Sequence, residues 1–315
     1  MQWFAQAPAN IALIKYMGKS DEQSNLPANP SLSYTLNKLQ TSVVLEQQSG
    51  NHDFWEPLNI PGAHPFMLPM EAQKRYLDHL NRIKAFFNFT GAFVVRSTNN
   101  FPHSSGLASS ASSFAALTKC AANAICDLQQ SELPDVATLA NLSRQGSGSS
   151  CRSFFSPWAL WDGDTVEAVN LPYSNLVHQV VIVSNAIKSV PSSEAHKRIK
   201  TSPGYSGRVS RAKENLKTLL NALTSQDWQS AYKVCWHEFQ DMHHLFTTAA
   251  QPFTYMGAET TQALNALQAI WNDKKDGPII TMDAGPNIHL LYRPDQAQLM
   301  REIRADVFLG NFDVI

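Results

Sequence analysis

The sequence of 315 residues has almost no net charge and lacks long apolar runs. Lysine and arginine total 25, aspartate and glutamate total 26, and the net charge is −1. Without a basic excess, the composition predicts neither a nucleic-acid partner nor a membrane surface. No stretch approaches the roughly 18 apolar residues of a membrane-spanning helix. The first ten residues lack the basic-then-apolar order of a signal peptide, and we therefore expect a cytoplasmic protein.

Cysteine is also scarce, and its spacing is irregular. The four cysteines are Cys120, Cys126, Cys151 and Cys235, and no two form a CxxC pair. This pattern favours reduced thiols over a disulfide framework or a zinc site. The sequence contains no GxxxxGK[ST] phosphate-binding loop, no internal repeat and no low-complexity tail.

What remains is the composition of a folded protein with a real core. Hydrophobic residues make up 43% and charged residues 16%, which excludes bulk disorder. A chain of this length suggests two domains. A shift in composition near residues 175–190 places the boundary, and we assign domains to residues 1–180 and 181–315.

Hydrophobic periodicity predicts a mixture of helices and strands, with more helix in the second half. The predicted strands are 41–46, 92–97, 176–184, 278–283 and 288–293. The predicted helices are 70–87, one from 106 onward, 207–223, 227–246 and 258–272, and residues 294–309 are predicted as helix followed by strand. Residues 25–33 and the proline-rich stretch 57–69 are predicted loops.

The stretch PHSSGLASSASS, residues 102–113, concentrates six serines around one glycine. It follows the order loop, glycine, helix. The first turn of a helix presents unpaired N–H groups, and its dipole favours an anion. One interpretation is a phosphate cradle for a nucleotide, in which Gly106 allows a tight turn. The alternative is a small-residue helix packed on a sheet, with Ser104 or Ser105 as its N-cap.

Three further stretches carry polar residues in patterns that suit anion binding or acid–base chemistry. In APANIALIKYMGKSD (7–21), an apolar run ends in Lys15 and Lys19. Two lysines here could bind an anion, but a strand that leaves the core for solvent has the same pattern. RQGSGSSCRS (144–153) combines flexible backbone, hydroxyls and Arg152, which suit a phosphate or carboxylate, although an ordinary glycine turn has the same composition. TMDAGPN (281–287) places Asp283 at a strand end, either as a turn former or as a carboxylate in a cleft.

Taken together in chain order, these four stretches and NLPANPSLS (25–33) resemble the diphosphomevalonate decarboxylases. This family belongs to the superfamily of galactokinase, homoserine kinase, mevalonate kinase and phosphomevalonate kinase. The resemblance spans residues 7–287. It implies an α+β fold of two domains, the first like domain 2 of ribosomal protein S5 and the second ferredoxin-like, with the active site between them. It also implies a homodimer.

The resemblance implies a reaction and its residues. ATP, with Mg²⁺, phosphorylates the 3-hydroxyl of (R)-5-diphosphomevalonate, and loss of phosphate and CO2 gives isopentenyl diphosphate. Asp283, Lys15 and Arg152 match the catalytic positions, and no side chain is assigned as a metal ligand. The positions matched to substrate binding are Asn10, Tyr16, Gly18, Lys19, Ser147, Gly148, Ser149, Ser150, Arg152 and Ser193. Those matched to ATP binding are Ser104, Ser105, Gly106, Leu107, Ala108, Ser109 and Ser110.

The chain departs from the family pattern at several positions. Met17 and Ser20 stand where tryptophan and arginine are usual. A substrate-contacting arginine of the family aligns with Ala72, and Lys74 and Arg75 lie within one turn of it. These departures leave open a related kinase or a decarboxylase acting on a substrate with fewer phosphates. A catalytically inactive relative is a further alternative, although the acidic and basic site residues are retained.

The segment WHEFQDMHHLF suggests a different site. It places His237, Asp241 and His244 on one helix face. Three ligands on one straight helix cannot supply the tetrahedron that Zn²⁺ prefers without a partner element. We therefore favour a helix that lines the cleft or packs on a sheet.

Overall fold

The N-terminal half is built on a six-stranded sheet in a computed structural model that describes residues 1–61, 67–101, 109–184 and 188–315. The strands of this half are β1 (Gln2–Ile14), β2 (Lys19–Asp21), β3 (Leu26–Pro27), β4 (Ser31–Gln48), β5 (Phe54–Pro57), β6 (Ala92–Asn99), β7 (Trp158–Asp162) and β8 (Thr165–Ala168). The sheet order is β5-β6-β4-β7-β8, with β1 pairing β4, while β2 and β3 form a separate pair.

The long antiparallel pair β1–β4 is the spine of this sheet. Its register runs from Gln2↔Glu46 to Ile14↔Leu32. The register shifts directly after Pro8, whose ring nitrogen has no hydrogen to donate to the ladder. The pair ends at Ile14, so the residues that follow leave the sheet at a fixed point.

Three helices cover one side of this sheet: α1 (Met70–Phe86), α2 (Ser109–Gln129) and α3 (Val136–Arg144). Helix α2 is rich in alanine, and its buried Ala115, Ala121 and Ala124 belong to one core cluster with Val43 and Phe93 of the sheet. Small side chains allow the helix backbone to lie close to the strands. The start of α2 is therefore held tightly against the sheet.

The C-terminal half combines helices with a four-stranded antiparallel sheet of order β10-β11-β9-β12. Its elements are β9 (Val177–Ile182), α4 (Ser192–Arg198), α5 (Arg208–Thr224), α6 (Trp228–Thr247), α7 (Ala258–Lys274), β10 (Ile279–Met282), β11 (Ile288–Tyr292), α8 (Ala297–Ile303) and β12 (Asp313–Val314). None of the helices in the described ranges is long and apolar enough to cross a membrane. The α+β fold class predicted from the sequence is confirmed.

The largest core cluster joins the two halves. Ile11, Leu32 and Trp158 of the first sheet pack in the same cluster as Phe239 of α6 and Ile280 of β10. Burial of these side chains stabilises the junction, because each removes apolar surface from water. The ends of β1 and β10 consequently lie next to each other.

Two of the predicted segments have a different structure from the one expected. Residues 25–33 are not simply a loop, since Leu26–Pro27 forms β3 and β4 begins at Ser31. Ser31 and Ser33 are fully buried strand residues whose small polar side chains concealed the strand pattern. At the C-terminus, α8 runs into a π-helical turn at Arg304–Phe308, and the last strand lies at 313–314, beyond the predicted one. The helix predicted from 106 is described from Ser109, and residues 106–108 lie outside the described residues.

We predict that Gly277→Ala destabilises the fold by about 1–3 kcal/mol through overpacking. An added Cβ would lie 2.6 Å from Nε1 of Trp271. That indole cannot yield easily, because it stacks on Tyr232 at 3.9 Å and donates to the carbonyl of Pro278 at 2.8 Å. Urea denaturation measures the loss. In the control Gly50→Ala the nearest atom is 3.5 Å away, and a change within about 0.5 kcal/mol is expected. Equal effects of the two substitutions would contradict this packing account.

Candidate active site

A cavity of about 490 Å³ lies where the two halves meet. Its wall includes many of the predicted site residues: Asn10, Lys15, Tyr16, Lys19, Ser109, Ser110, Ser147, Gly148, Ser149, Arg152, Ser193 and Asp283. Residues as distant in the sequence as Lys15 and Asp283, 268 positions apart, are thus brought together in one concave site.

The ion pair of Lys15 and Asp283 lies at the centre of this wall. Lys15 directly follows the last residue of β1, and Asp283 directly follows the last residue of β10. Lys15 Nζ is 2.8 Å from Asp283 Oδ1 and donates a second hydrogen bond to the carbonyl of Ala12 at 2.6 Å. The lysine side chain is 2% exposed, whereas the aspartate is 28% exposed. The carboxylate is therefore the member of the pair that a ligand can reach.

The surroundings keep this carboxylate ionised. Burial alone would raise the pKa of Asp283, but Lys15, His289 and Arg152 outweigh it and hold the pKa below the ordinary value. Burial lowers the pKa of Lys15, and the nearby Asp283 opposes that change. An ionised carboxylate and an ammonium thus lie side by side in a mostly buried part of the cavity wall.

Arg152 is fixed within the short 3-10 helix Gly148–Phe154. Its Nη1 donates to Ser31 Oγ at 2.8 Å, and its Nε donates to Asn10 Oδ1 at 3.1 Å. In the part of the chain that the structure describes, no carboxylate forms a salt bridge with it. A guanidinium held by neutral partners can pair with an anionic ligand in the cavity.

A second group of residues surrounds Tyr16 on the same wall. Tyr16 packs between the rings of Trp161 and His196, at centroid distances of 4.6 and 4.5 Å. Lys19 Nζ donates to Asn25 Oδ1 at 2.7 Å. A Cβ on Gly148 would lie 2.6 Å from the Tyr16 oxygen, so only glycine fits there without displacing the ring.

Two predicted residues lie behind the cavity wall. Ser150 is fully buried, and its hydroxyl donates to the carbonyl of Ser147 and accepts from Ser143, both at 2.6 Å. Gly18 adopts φ +100°, and its N–H donates to His196 Nδ1 at 3.0 Å. Both residues therefore fix backbone next to residues of the cavity wall.

The serine-rich stretch is described only in part. Ser109 and Ser110 begin α2 and reach the cavity. Ser147 Oγ lies 3.4 Å from Ser110 Oγ, which ties the two serine-rich segments together. Ser104, Ser105, Gly106, Leu107 and Ala108 lie outside the described residues.

The structure distinguishes the two cations near Ala72. Arg75 lines the cavity, donates to the carbonyl of Gly146 at 2.8 Å and lies over the ring of Phe114. Lys74 points away, with its side chain 76% exposed and paired with Asp78. Adjacent helix residues point about 100° apart, so only one of them can face the cavity.

Other residues of the wall and its support belong to no motif in the sequence. Lys188 lines the cavity and donates to the carbonyl of Ala284 at 2.5 Å. His196 lines it as well, and His243 of α6 donates from Nε2 to the carbonyl of Asp283 at 3.1 Å. The sequence predicts that the segment containing His243 lines the cleft or packs on a sheet, but no local pattern distinguishes this histidine from its neighbours.

The possible metal face of α6 has another role. Asp241 accepts from Arg208 Nη1 and from Arg211 Nε, both at 2.9 Å. His237 and His244 are exposed. Among the described residues, no three histidine, cysteine or acidic side chains are grouped as metal ligands would be.

Comparisons with known proteins find matches to most of the chain. Residues 7–169 match the family model of the diphosphomevalonate decarboxylase-like N-terminal domain, and residues 178–312 match that of the mevalonate 5-diphosphate decarboxylase C-terminal domain. A diphosphomevalonate decarboxylase of Gibberella zeae is 30% identical over 97% of this chain and 82% of its own length.

Solved structures give the same result. The crystal structure of a mevalonate diphosphate decarboxylase from Legionella pneumophila is 59% identical, covers 100% of both chains and superposes with a TM-score of 0.95. The structure of MDDEF in complex with MVAPP, AMPPCP and magnesium is 28% identical, covers 100% of this chain and 96% of its own, and gives a TM-score of 0.88. With both of its halves matched by sequence and by structure, the chain belongs to the diphosphomevalonate decarboxylase family.

Proposed function

We propose that the protein catalyses the ATP-dependent decarboxylation of (R)-5-diphosphomevalonate to isopentenyl diphosphate, releasing ADP, phosphate and CO2. The observation that carries this proposal is the Lys15–Asp283 pair on the cavity wall, with Arg152 beside it. The related MDDEF was solved in complex with MVAPP, AMPPCP and magnesium, which supports a site that takes a substrate, a nucleotide and Mg²⁺ together.

Asp283 acts first on the tertiary 3-hydroxyl, which is a poor nucleophile. The carboxylate accepts or orients the hydroxyl proton, a role typically worth about 10²–10⁴-fold in rate. The hydroxyl oxygen then forms a bond to the γ-phosphorus of ATP, and the bond from that phosphorus to ADP breaks. Lys15 balances the charge on Asp283 and on the transferred phosphoryl group.

Decarboxylation follows because the hydroxyl has become a good leaving group. The C3–O bond breaks, and phosphate departs with the electron pair. The departing phosphate takes up the proton that Asp283 accepted, so the carboxylate is negative again and stabilises the carbocation-like centre that develops. The bond between C2 and the carboxylate carbon then breaks, its electrons form the new double bond, and CO2 leaves.

Arg152 and the residues around Tyr16 hold the two ends of the substrate. The guanidinium of Arg152 pairs with the substrate carboxylate, while Asn10 fixes that guanidinium through its 3.1 Å hydrogen bond. The diphosphate tail is held by Tyr16, Lys19, Ser147, Gly148, Ser149 and Arg75. Gly18 and Ser150 fix the backbone that carries these residues, and Ser193 offers a further hydroxyl to the substrate. Anchoring the remote tail fixes the reacting carbon in place.

The nucleotide occupies the cavity at the start of α2. Ser109 and Ser110 face the cavity there, and a helix N-terminus favours phosphate. The family resemblance also assigns residues 104–108, outside the described residues, to nucleotide binding. Mg²⁺ between the phosphates neutralises their charge during transfer. We also propose a cytoplasmic homodimer with domains 1–180 and 181–315.

We predict that ATP supports CO2 release from 5-diphosphomevalonate, with one ADP formed per CO2. Mevalonate and its 5-phosphate should give little CO2, because the tail contacts are incomplete. The measurement is release of labelled CO2 together with coupled ADP detection for the three substrates. ADP from all three substrates without CO2 from any would leave only a kinase.

The matched variant for this assay is Asp283→Asn. It keeps the size of the side chain but removes the base, so both ADP and CO2 formation should fall by about 10²–10⁴-fold. Binding of a non-hydrolysable ATP analogue should stay within a few-fold of the unmodified protein. Unchanged turnover in this variant would show that Asp283 is not the base.

We also predict that Arg75, and not Lys74, holds the diphosphate. Arg75→Gln should raise the KM for 5-diphosphomevalonate about 10- to 100-fold, because a charged hydrogen bond is worth roughly 1.5–3 kcal/mol. Lys74→Gln is the adjacent control and should leave KM nearly unchanged. The measurement is the KM for 5-diphosphomevalonate in steady-state kinetics of both variants. Equal KM values in Arg75→Gln and Lys74→Gln would contradict this assignment.

A further inference from the structure

A buried ion pair lies behind the active site, on two helices of the C-terminal half. Arg208 is the first residue of α5 and Glu238 lies in the middle of α6, and both side chains are 0% exposed. Asn215 donates to Glu238 Oε2 at 2.6 Å, and Asp241 accepts from Arg208 at 2.9 Å. A buried ion pair is often no more stabilising than apolar residues of the same volume, so stability alone does not account for it.

In the part of the chain that the structure describes, the hydrogen bonds from this pair to the other half all go to the backbone of Lys15. Glu238 Oε1 accepts a hydrogen bond from the Lys15 N–H at 3.0 Å. Arg208 Nη2 donates to the Lys15 carbonyl at 3.1 Å, and Asn29 donates to the same carbonyl at 3.0 Å. Strand β1 ends one residue earlier, so these contacts replace the sheet ladder where it stops.

The other member of the reactive pair is held by the same helix. His243, one turn beyond Glu238 on α6, donates from Nε2 to the carbonyl of Asp283. Helix α6 therefore contacts the backbones of both Lys15 and Asp283. One rigid element can fix the separation between the lysine ammonium and the carboxylate.

The geometry points to Glu238 and Arg208 as positioning residues that set the place of Lys15 against Asp283 for the decarboxylation proposed above. They touch neither the cavity nor a substrate, and act through the Lys15 backbone. The inference rests on the proposed function. Its consequence is that loss of the pair impairs chemistry more than substrate binding, because a displacement of about 1 Å can cost ~10²-fold in rate.

The test replaces the pair by apolar residues, in the double variant Arg208→Met/Glu238→Leu. Its matched control is Asp53→Leu/Lys84→Met. Asp53 is likewise buried, pairs with Lys84 at 2.7 Å and accepts from a backbone N–H, that of Phe93, at 2.8 Å. Neither Asp53 nor Lys84 lines the active-site cavity. Thermal denaturation of both variants accounts for any general loss of stability.

We expect the Arg208→Met/Glu238→Leu variant to lower kcat about 10- to 100-fold with KM for 5-diphosphomevalonate within a few-fold. The control variant should keep kcat even where its stability falls. If the double variant does not fold, the single variants Glu238→Leu and Glu238→Gln are compared instead. The glutamine amide oxygen can still accept from the Lys15 N–H, so kcat should stay closer to the unmodified value in Glu238→Gln than in Glu238→Leu.

The pH profile gives a readout that a merely structural role would not change. The groups facing Asp283 are Lys15, Arg152, His289, His243 and Lys188. Only Lys15 is displaced by the variants. A more distant ammonium lowers the pKa of Asp283 less. The pKa of Asp283 is therefore higher in the variant than in the unmodified protein, and the acidic limb of the kcat profile moves to higher pH.

Two results would overturn the inference. One is an unchanged kcat and acidic limb in the folded Arg208→Met/Glu238→Leu variant. The other is the same change in the Asp53→Leu/Lys84→Met control. Failure of the proposed function itself is recognised separately, since the unmodified protein would then release no CO2 from 5-diphosphomevalonate.

Discussion

The site depends on one carboxylate that stays ionised although it lies in a largely buried position. Burial favours the neutral form of Asp283, and Lys15 reverses that preference at a distance of 2.8 Å. The same ammonium is itself disfavoured by burial, so each charge requires the other. A buried ion pair is often no more stabilising than apolar residues of similar volume, so the fold alone does not explain this pair.

The two halves of the chain bring this pair together from opposite sides. Lys15 leaves the end of β1 and Asp283 leaves the end of β10. Both strands contribute to one core cluster with α6, so the junction that gives the protein its largest core also fixes the reactive distance. Arg152 and Arg75 then supply positive charge on the wall, where a substrate with anionic groups at both ends would lie.

Local patterns in the sequence predicted much of the fold. Periodicity located the helices α1, α5, α6 and α7, since their apolar residues recur at helical spacing. It missed the start of β4, where buried serines replace apolar residues. The site was predicted through the resemblance of its motifs, and the strand end before Asp283 was also visible locally. Contacts such as Glu238 with Lys15, 223 residues apart, leave no pattern in either segment.

The most direct test is the pKa of the Asp283 carboxyl, measured by NMR of protein labelled with ¹³C-aspartate and assigned with Asp283→Asn. The account predicts a carboxylate whose pKa lies below the ordinary value of 3.8. In Lys15→Met the pKa should rise, because burial is then opposed only by the more distant cations. A carboxyl group that is protonated at neutral pH in the unmodified protein, or whose pKa does not respond to Lys15→Met, would contradict it.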